Sequence, residues 1–199
     1  MTKAILLSGG MDSISLAYWQ RPTVAICIDY GQKPAEAEIR ASSAIASLLN
    51  IRHEVIRIDC SSLGSGDLSG TNALQLAPSS EWWPFRNQML ITLAVMKGAS
   101  LNISELMLGT VKSDGHHADG TEAFISAADT LVALQEGGIR ITAPAIQMST
   151  AALVQASGIP REVLAYAHSC HTANYACGTC RGCIKHRNTY RELGDEEPY

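Results

Sequence analysis

Short apolar runs alternate with segments of helical period along this chain. Residues 4–7, 24–28, 54–58, 106–108 and 140–142 are compact runs built around Ile, Leu, Val and Met, of a length that suits buried strands. Between and after them, residues 14–20, 35–49, 87–97, 121–134 and 150–155 carry apolar side chains at the spacing of an amphipathic helix. Strand–helix alternation predicts an α/β fold: a doubly wound, mostly parallel five-stranded sheet covered on both faces. In such sheets ligands bind beyond the carboxyl ends of the strands, where the strand order reverses. That places residues 8–13, 29–32 and 109–119 in one crevice. Residues 61–80 are rich in Ser, Gly, Leu and Asn without a period, which suits a lid, a binding loop or a disordered stretch. The expected division is a main domain over 1–160 and a small C-terminal segment over 161–199, with a frayed acidic tail over 192–199.

Composition narrows the partners. Of the 199 residues, 46 % are hydrophobic and 17 % charged, and the net charge is −4. This suits a compact globule and gives no footprint for duplex nucleic acid as the main partner. Arg181, Lys185, His186, Arg187 and Arg191 form a local basic group. No apolar run is long enough to span a bilayer, and the first residues read as a core strand rather than a signal peptide. The expected location is the cytoplasm.

Two clusters carry chemistry. Ser8-Gly9-Gly10-Met11-Asp12-Ser13 joins the first strand to the first helix. Adjacent glycines let the backbone approach a ligand, and the N–H groups of the turn and helix start make a concave anion site. Asp12 fits an anion site when a divalent cation bridges it to phosphates, which reads as ATP with Mg²⁺. A plain turn capped by Asp12 or Ser13 is the alternative. The second cluster is Cys170, Cys177, Cys180 and Cys183, a C-x6-C-x2-C-x2-C pattern with Gly178 and Gly182 between the ligands. Four thiolates suit a tetrahedral Zn²⁺ with no open position, hence a structural ion. Disulfides do not suit the cytosol, an iron–sulfur cluster has similar spacing, and His168, His171 and His186 could compete as ligands. Cys27 and Cys60 stand apart from this cluster.

The Ser8–Ser13 motif resembles the SGGxDS signature of the PP-loop ATP pyrophosphatases, which cleave ATP to AMP and pyrophosphate and adenylate a carbonyl oxygen. Together with the C-terminal cysteines, the chain is similar nearly from end to end to the 7-cyano-7-deazaguanine synthase (QueC) family. Asp29-Tyr30-Gly31-Gln32, Trp83-Pro84-Phe85-Arg86-Asn87, Gly109, Asp114 with Asp119, and Pro144 also match its pattern. The resemblance implies that 7-carboxy-7-deazaguanine and ammonia are converted to the nitrile at the expense of ATP, by a homodimer. It implies that Ser8, Gly9, Gly10, Asp12 and Ser13 hold pyrophosphate and Mg²⁺, and that Tyr30, Gly31, Gln32 and Gly109 border ATP. Arg86 would neutralise the phosphates or the substrate acid, or else form a surface ion pair. Asn87 would bond a base edge or cap a helix. Asp114 and Asp119 would bind metal or the N–H groups of the base, or be solvated. His116 and His117 are solvated loop residues or a base for the incoming amine.

The chain also departs from that pattern. Lys33-Pro34 replaces Arg-His, Phe85 replaces a glycine, Gly115–Gly120 replaces SGYPDC, Thr150-Ala151-Ala152 replaces Lys-Ala-Glu, and the first cysteine spacing is two residues shorter. The adenylation loop is intact, so these changes bear on the amine step. A second expectation follows: a QueC-like enzyme of the kind found in bacterial defence cassettes, passing the adenylated acid to another amine, a protein's included, and stopping at the amide. A tRNA sulfur transferase would need a reactive cysteine pair beside ATP and a basic surface. A nucleotide sensor would bind ATP without turnover.

Overall fold

The computed structural model describes residues 2–196; the last three residues of the predicted frayed tail lie outside them. Five strands, β1 (Thr2–Leu6), β2 (Val24–Asp29), β3 (Arg52–Arg57), β4 (Ile103–Met107) and β5 (Arg140–Thr142), form one sheet in the order β3-β2-β1-β4-β5. Every neighbouring pair is parallel. The chain winds outward from β1 to β3, crosses back to β4 and winds out to β5. The order therefore reverses between β1 and β4, and their carboxyl ends open a crevice. The doubly wound α/β expectation describes this architecture.

Period-two alternation sorts the central strands. Ile5, Leu7, Ala25 and Met107 face one core with α1 (Met11–Gln20), α2 (Ala35–Leu48) and α5 (Thr150–Ser157). Ala4, Ile26 and Leu106 face the other, with α3 (Arg86–Ser100) and α4 (Glu122–Ala133). Ile5, Ile14, Leu16, Ile26, Leu106 and Leu153 are fully buried, each contributing roughly 1.5–3 kcal/mol by leaving water. Side chains cap the start of α4 and α5: Thr121 accepts from the Phe124 N–H and Ser149 from the Ala152 N–H.

The C-terminal segment, expected from the sequence to be helical and zinc-binding without bounds for its helices, contains α6 (Arg161–Leu164) and α7 (Arg181–Glu192). The sequence of α7, RGCIKHRNTYRE, has almost no apolar stripe. It is nucleated by Cys180, whose Sγ accepts the Cys183 N–H, and anchored by Tyr190 in the core shared with α1 and α5. The aperiodic stretch 61–80 is tied down by backbone bonds from Lys33 N–H to Leu68 and from Asp67 N–H to Ser80, and the chain runs on from it to α3 through residues 81–85. Trp83, in this connection, is buried and meets Tyr30 edge to face at 5.0 Å. No helix among the described residues is long and apolar enough to cross a membrane.

Candidate active site and metal centre

A cleft of about 850 Å³ opens at the β1/β4 reversal, large enough for a nucleotide and a small heterocycle. Its floor is the β1–α1 turn. Gly9 adopts φ +79°, and a Cβ there would lie 2.7 Å from Ala41 Cβ and 2.8 Å from the Glu38 carbonyl oxygen. Gly109, at the end of β4, brings its backbone so close to Ser13 that a Cβ would sit 3.0 Å from Ser13 Cα. Only glycine fits at position 9, and a side chain at position 109 would press on the Ser13 backbone. Gly10 is the N-cap of α1 and supplies no capping side chain. Ser13 Oγ donates to the Gly10 carbonyl at 2.9 Å and lies 3.3 Å from Ser8 Oγ. Neither Asp12 nor Ser13 therefore caps the helix, and the helix start is left facing the cleft.

Asp12 turns instead toward α7. Its Oδ2 accepts from Lys185 Nζ at 2.8 Å, and Asp114 Oδ1 accepts from the same ammonium at 3.3 Å. Burial raises the Asp12 pKa; Lys185 lowers it and Asp114 raises it further. Its Oδ1 is buried without a hydrogen-bond partner. An orphaned carboxylate oxygen beside a helix N-terminus fits a divalent cation.

The opposite wall holds Tyr30, Glu38, Arg86 and Asn87. Arg86 opens α3, where a cation works against the helix dipole, and the Tyr30 hydroxyl, Asp119 and Glu38 offset its burial. This placement suits an arginine kept for an anionic ligand rather than for a surface ion pair. Phe85, just before it, is held at φ 54° and is exposed. Its backbone is in the left-handed region, where the family's glycine would be unstrained. Asn87 Nδ2 donates to the Asp119 carbonyl at 3.3 Å, tying α3 to the loop after β4.

Gly9, Gly31 and Gln32 do not line the cleft. Gln32 is buried, accepting from the Tyr30 N–H and donating to the Ile28 carbonyl and to Glu38 Oε2 at 2.8 Å. It positions the wall from behind. Ser8, Gly10, Asp12, Ser13, Tyr30, Arg86, Asn87, Gly109, Asp114, His116, His117 and Asp119 all reach the cleft.

Glu38 is a wall residue that the sequence pattern does not single out. Burial pushes its carboxyl from 4.5 up to about 7, against the lowering effects of the Gln32 amide and Arg86. Between those values the folded chain holds a proton that the unfolded chain has lost, so stability falls as pH rises through this window. Glu38→Gln removes the penalty. The variant should gain about 2–3 kcal/mol over the parent at pH 8 and less than about 1 kcal/mol at pH 5 in urea unfolding. An equal difference at both pH values would contradict the assignment.

The loop after β4 forms the third side. Asp114 Oδ2 accepts the Val111 N–H at 3.0 Å. His117 Nε2 lies 3.3 Å from Glu81 Oε1, its Nδ1 is buried without a partner, and its ring meets that of His116 at 5.2 Å. Glu81 comes from the segment just after the aperiodic stretch and also binds Arg181 Nη1 at 3.0 Å. Burial raises its carboxyl, but its own backbone N–H, the Ser79 hydroxyl, Arg181 and His117 together hold it below its usual value. His116 is exposed at the cleft rim.

The four cysteines converge beside the cleft. All four Sγ atoms lie within 4.8 Å of one another, with Cys177–Cys183 at 3.9 Å and Cys170–Cys180 at 4.0 Å. These separations are far beyond a disulfide bond and close to the ~3.8 Å between thiolates around a tetrahedral Zn²⁺. Backbone N–H groups point at the sulfurs: His171 and Cys183 donate to Cys180 Sγ, and Cys180 donates to Cys177 Sγ. The Thr172 hydroxyl and the Thr179 and Cys180 amides lower the Cys177 thiol to about 5. The donor set fits a structural Zn²⁺, which would cross-link residues 170–183. His186 Nδ1 is 2.9 Å from Ser169 Oγ, and His168 Nε2 is 3.0 Å from the Ala173 carbonyl oxygen.

Comparison with known proteins agrees with this geometry. The family model described as queuosine biosynthesis protein QueC matches residues 2–194. The 7-cyano-7-deazaguanine synthase of Desulforudis audaxviator is 31 % identical over 98 % of both chains. That of Methanoculleus marisnigri is 30 % identical over all of this chain and 98 % of its own. Among solved structures, NMN synthetase from Francisella tularensis superposes with a TM-score of 0.52 at 17 % identity, covering 98 % of this chain and 78 % of its own; this likeness concerns the fold. With the Ser8–Ser13 turn, the cysteine cluster and end-to-end similarity in agreement, the chain belongs to the QueC family.

Proposed function

We propose that this chain is a cytoplasmic ATP-dependent ligase that adenylates 7-carboxy-7-deazaguanine and replaces AMP with ammonia, ending at 7-cyano-7-deazaguanine. The observation that carries the reading is the Ser8–Ser13 turn, uncapped and facing the cleft, with the orphaned Asp12 oxygen beside it. The family supports the substrate. Residues 1–160 act as the nucleotide-binding body and 161–199 as the metal-bearing segment.

A carboxylate resists attack by an amine, so its oxygen first displaces pyrophosphate from the α-phosphorus. Mg²⁺, held by Asp12, would neutralise the departing charge. The Ser8 and Ser13 hydroxyls and the N–H groups of the turn bind phosphate oxygens, while Arg86 faces the acid or the phosphates. Tyr30 and Gly109 border the adenosine, and Asn87, Asp114 and Asp119 surround the base. The amine nitrogen then attacks the acyl carbon, AMP leaves and an amide results. A second adenylation, on the amide oxygen, allows loss of AMP and protons to give the nitrile. Walls that exclude water protect the adenylate.

One feature favours a variant of this reading. His116 is exposed at the cleft rim, open to an incoming amine larger than ammonia. The product is then an amide, on a protein amine for instance. Mass spectrometry after incubation with ATP, ammonium and the acid separates the outcomes: nitrile, amide or a protein adduct. AMP and pyrophosphate are the expected co-products, and ADP would contradict adenylation. His116→Ala and His117→Ala should leave hydroxylamine-trappable adenylate formation intact and slow amine capture by about 100-fold where an imidazole takes the proton. Parent-like rates in both steps would assign the histidines to the loop surface.

A further inference from the structure

Two chain segments flank the cysteine centre, and both touch the phosphate loop. His168 stands two residues before the first cysteine, and its N–H donates to the Gly9 carbonyl at 2.9 Å. Lys185 stands two residues after the last, and its ammonium is 2.8 Å from Asp12. Lys185 sits in the first turns of α7, which begins at Cys180 and also carries Cys183. Its position is thus set by the thiolates at the start of α7 together with Tyr190, which anchors the end of the helix in the core. The same ammonium reaches Asp114 at 3.3 Å, so it bridges the phosphate loop to the loop after β4. Its side chain is 38 % exposed and lines the cleft.

We propose that Lys185 is a phosphate-binding residue of this nucleotide site, presented to it by the cysteine centre. The phosphate loop has no lysine of its own. Without nucleotide, the ammonium balances Asp12 and Asp114, two carboxylates that would otherwise repel each other across the cleft. With Mg·ATP bound, Asp12 would hold the divalent ion, and the Lys185 ammonium would be free to contact the phosphates. It then stabilises the pyrophosphate as the bond to the α-phosphorus breaks. The metal centre therefore forms one wall of the nucleotide site. This inference rests on the ATP reading above.

The test uses the zinc-loaded full chain. Calorimetric titration with Mg·ATP should show Lys185→Met weakened about tenfold or more, as expected for a lost charge-assisted contact. Lys185→Arg should stay within about threefold of the parent. Zinc content should be unchanged in both. In a second arm, Mn²⁺ is titrated without nucleotide and followed by electron paramagnetic resonance. The parent should bind it weakly, and Lys185→Met should bind it at least about tenfold more tightly, because the two carboxylates have lost their counter-charge. Parent-like behaviour of Lys185→Met in both titrations would overturn the proposal. A parent that binds no Mg·ATP would overturn the nucleotide reading instead, and the Mn²⁺ arm would still decide whether Lys185 balances the two carboxylates.

Discussion

Asp12→Ala should lower the rate of ATP conversion to AMP and pyrophosphate by about a thousandfold or more and leave the fold intact. The loss corresponds to about 4 kcal/mol of transition-state stabilisation, a reasonable scale for a charged group facing a phosphoryl centre in a water-poor cleft. The fold should tolerate the change for three reasons. Gly10, not Asp12, is the N-cap of α1. One Asp12 oxygen is buried without a partner, so its removal relieves a desolvation cost. Lys185 keeps its contact with Asp114. Melting temperature and far-UV spectrum should therefore match the parent within a few degrees while pyrophosphate release stops. Activity and melting temperature falling together would indicate a structural role for Asp12 instead.

The sheet was legible because its central strands are apolar on both faces. β2 is buried over Val24–Ile28 and stands out as a continuous apolar run. β3 is an edge strand, half-buried along its length, and starts at Arg52, two residues before the run that marks it in the sequence. Polar residues at its start hide the pairing of Arg52 with Val24. The phosphate loop and the cysteines were legible because glycine at positive φ and thiolate spacing leave local signatures. Glu81, Glu38 and Lys185 were not. Glu81 lies just beyond the aperiodic stretch and outside the Trp83–Asn87 motif, and acquires meaning through Arg181, a hundred residues away in sequence. Lys185 reads as part of a solvated basic group until α7 is seen to turn it onto Asp12. Gln32 shows the reverse: its motif matches, yet its side chain bonds backbone and Glu38 behind the wall.

Cys180→Ser should release the metal and melt the C-terminal segment. Cys180 carries three contacts at once: its Sγ lies 4.0 Å from Cys170 Sγ, accepts the His171 N–H and caps α7 through the Cys183 N–H. A serine hydroxyl is a poor zinc ligand, so the ion loses a quarter of its donor set. Structural zinc supplies roughly 10–16 kcal/mol in small domains, more than the whole stability of many domains. The polar composition of α7 offers little to replace it, since His186, Thr189 and Tyr190 are the side chains that it buries beyond the cysteines. Zinc should fall from about one per chain to near zero by elemental analysis. Hydrogen exchange should rise across residues 168–192 while β1, β2 and β4 stay protected by their own core. Freed of its cap, the segment exposes Tyr190 and the surface that it covers on α5, and aggregation should follow. A soluble Cys180→Ser protein with full zinc and full activity would show that the four thiolates do not hold this segment. Loss confined to residues 168–192 would show that the metal organises one wall of the cleft while the sheet stands without it.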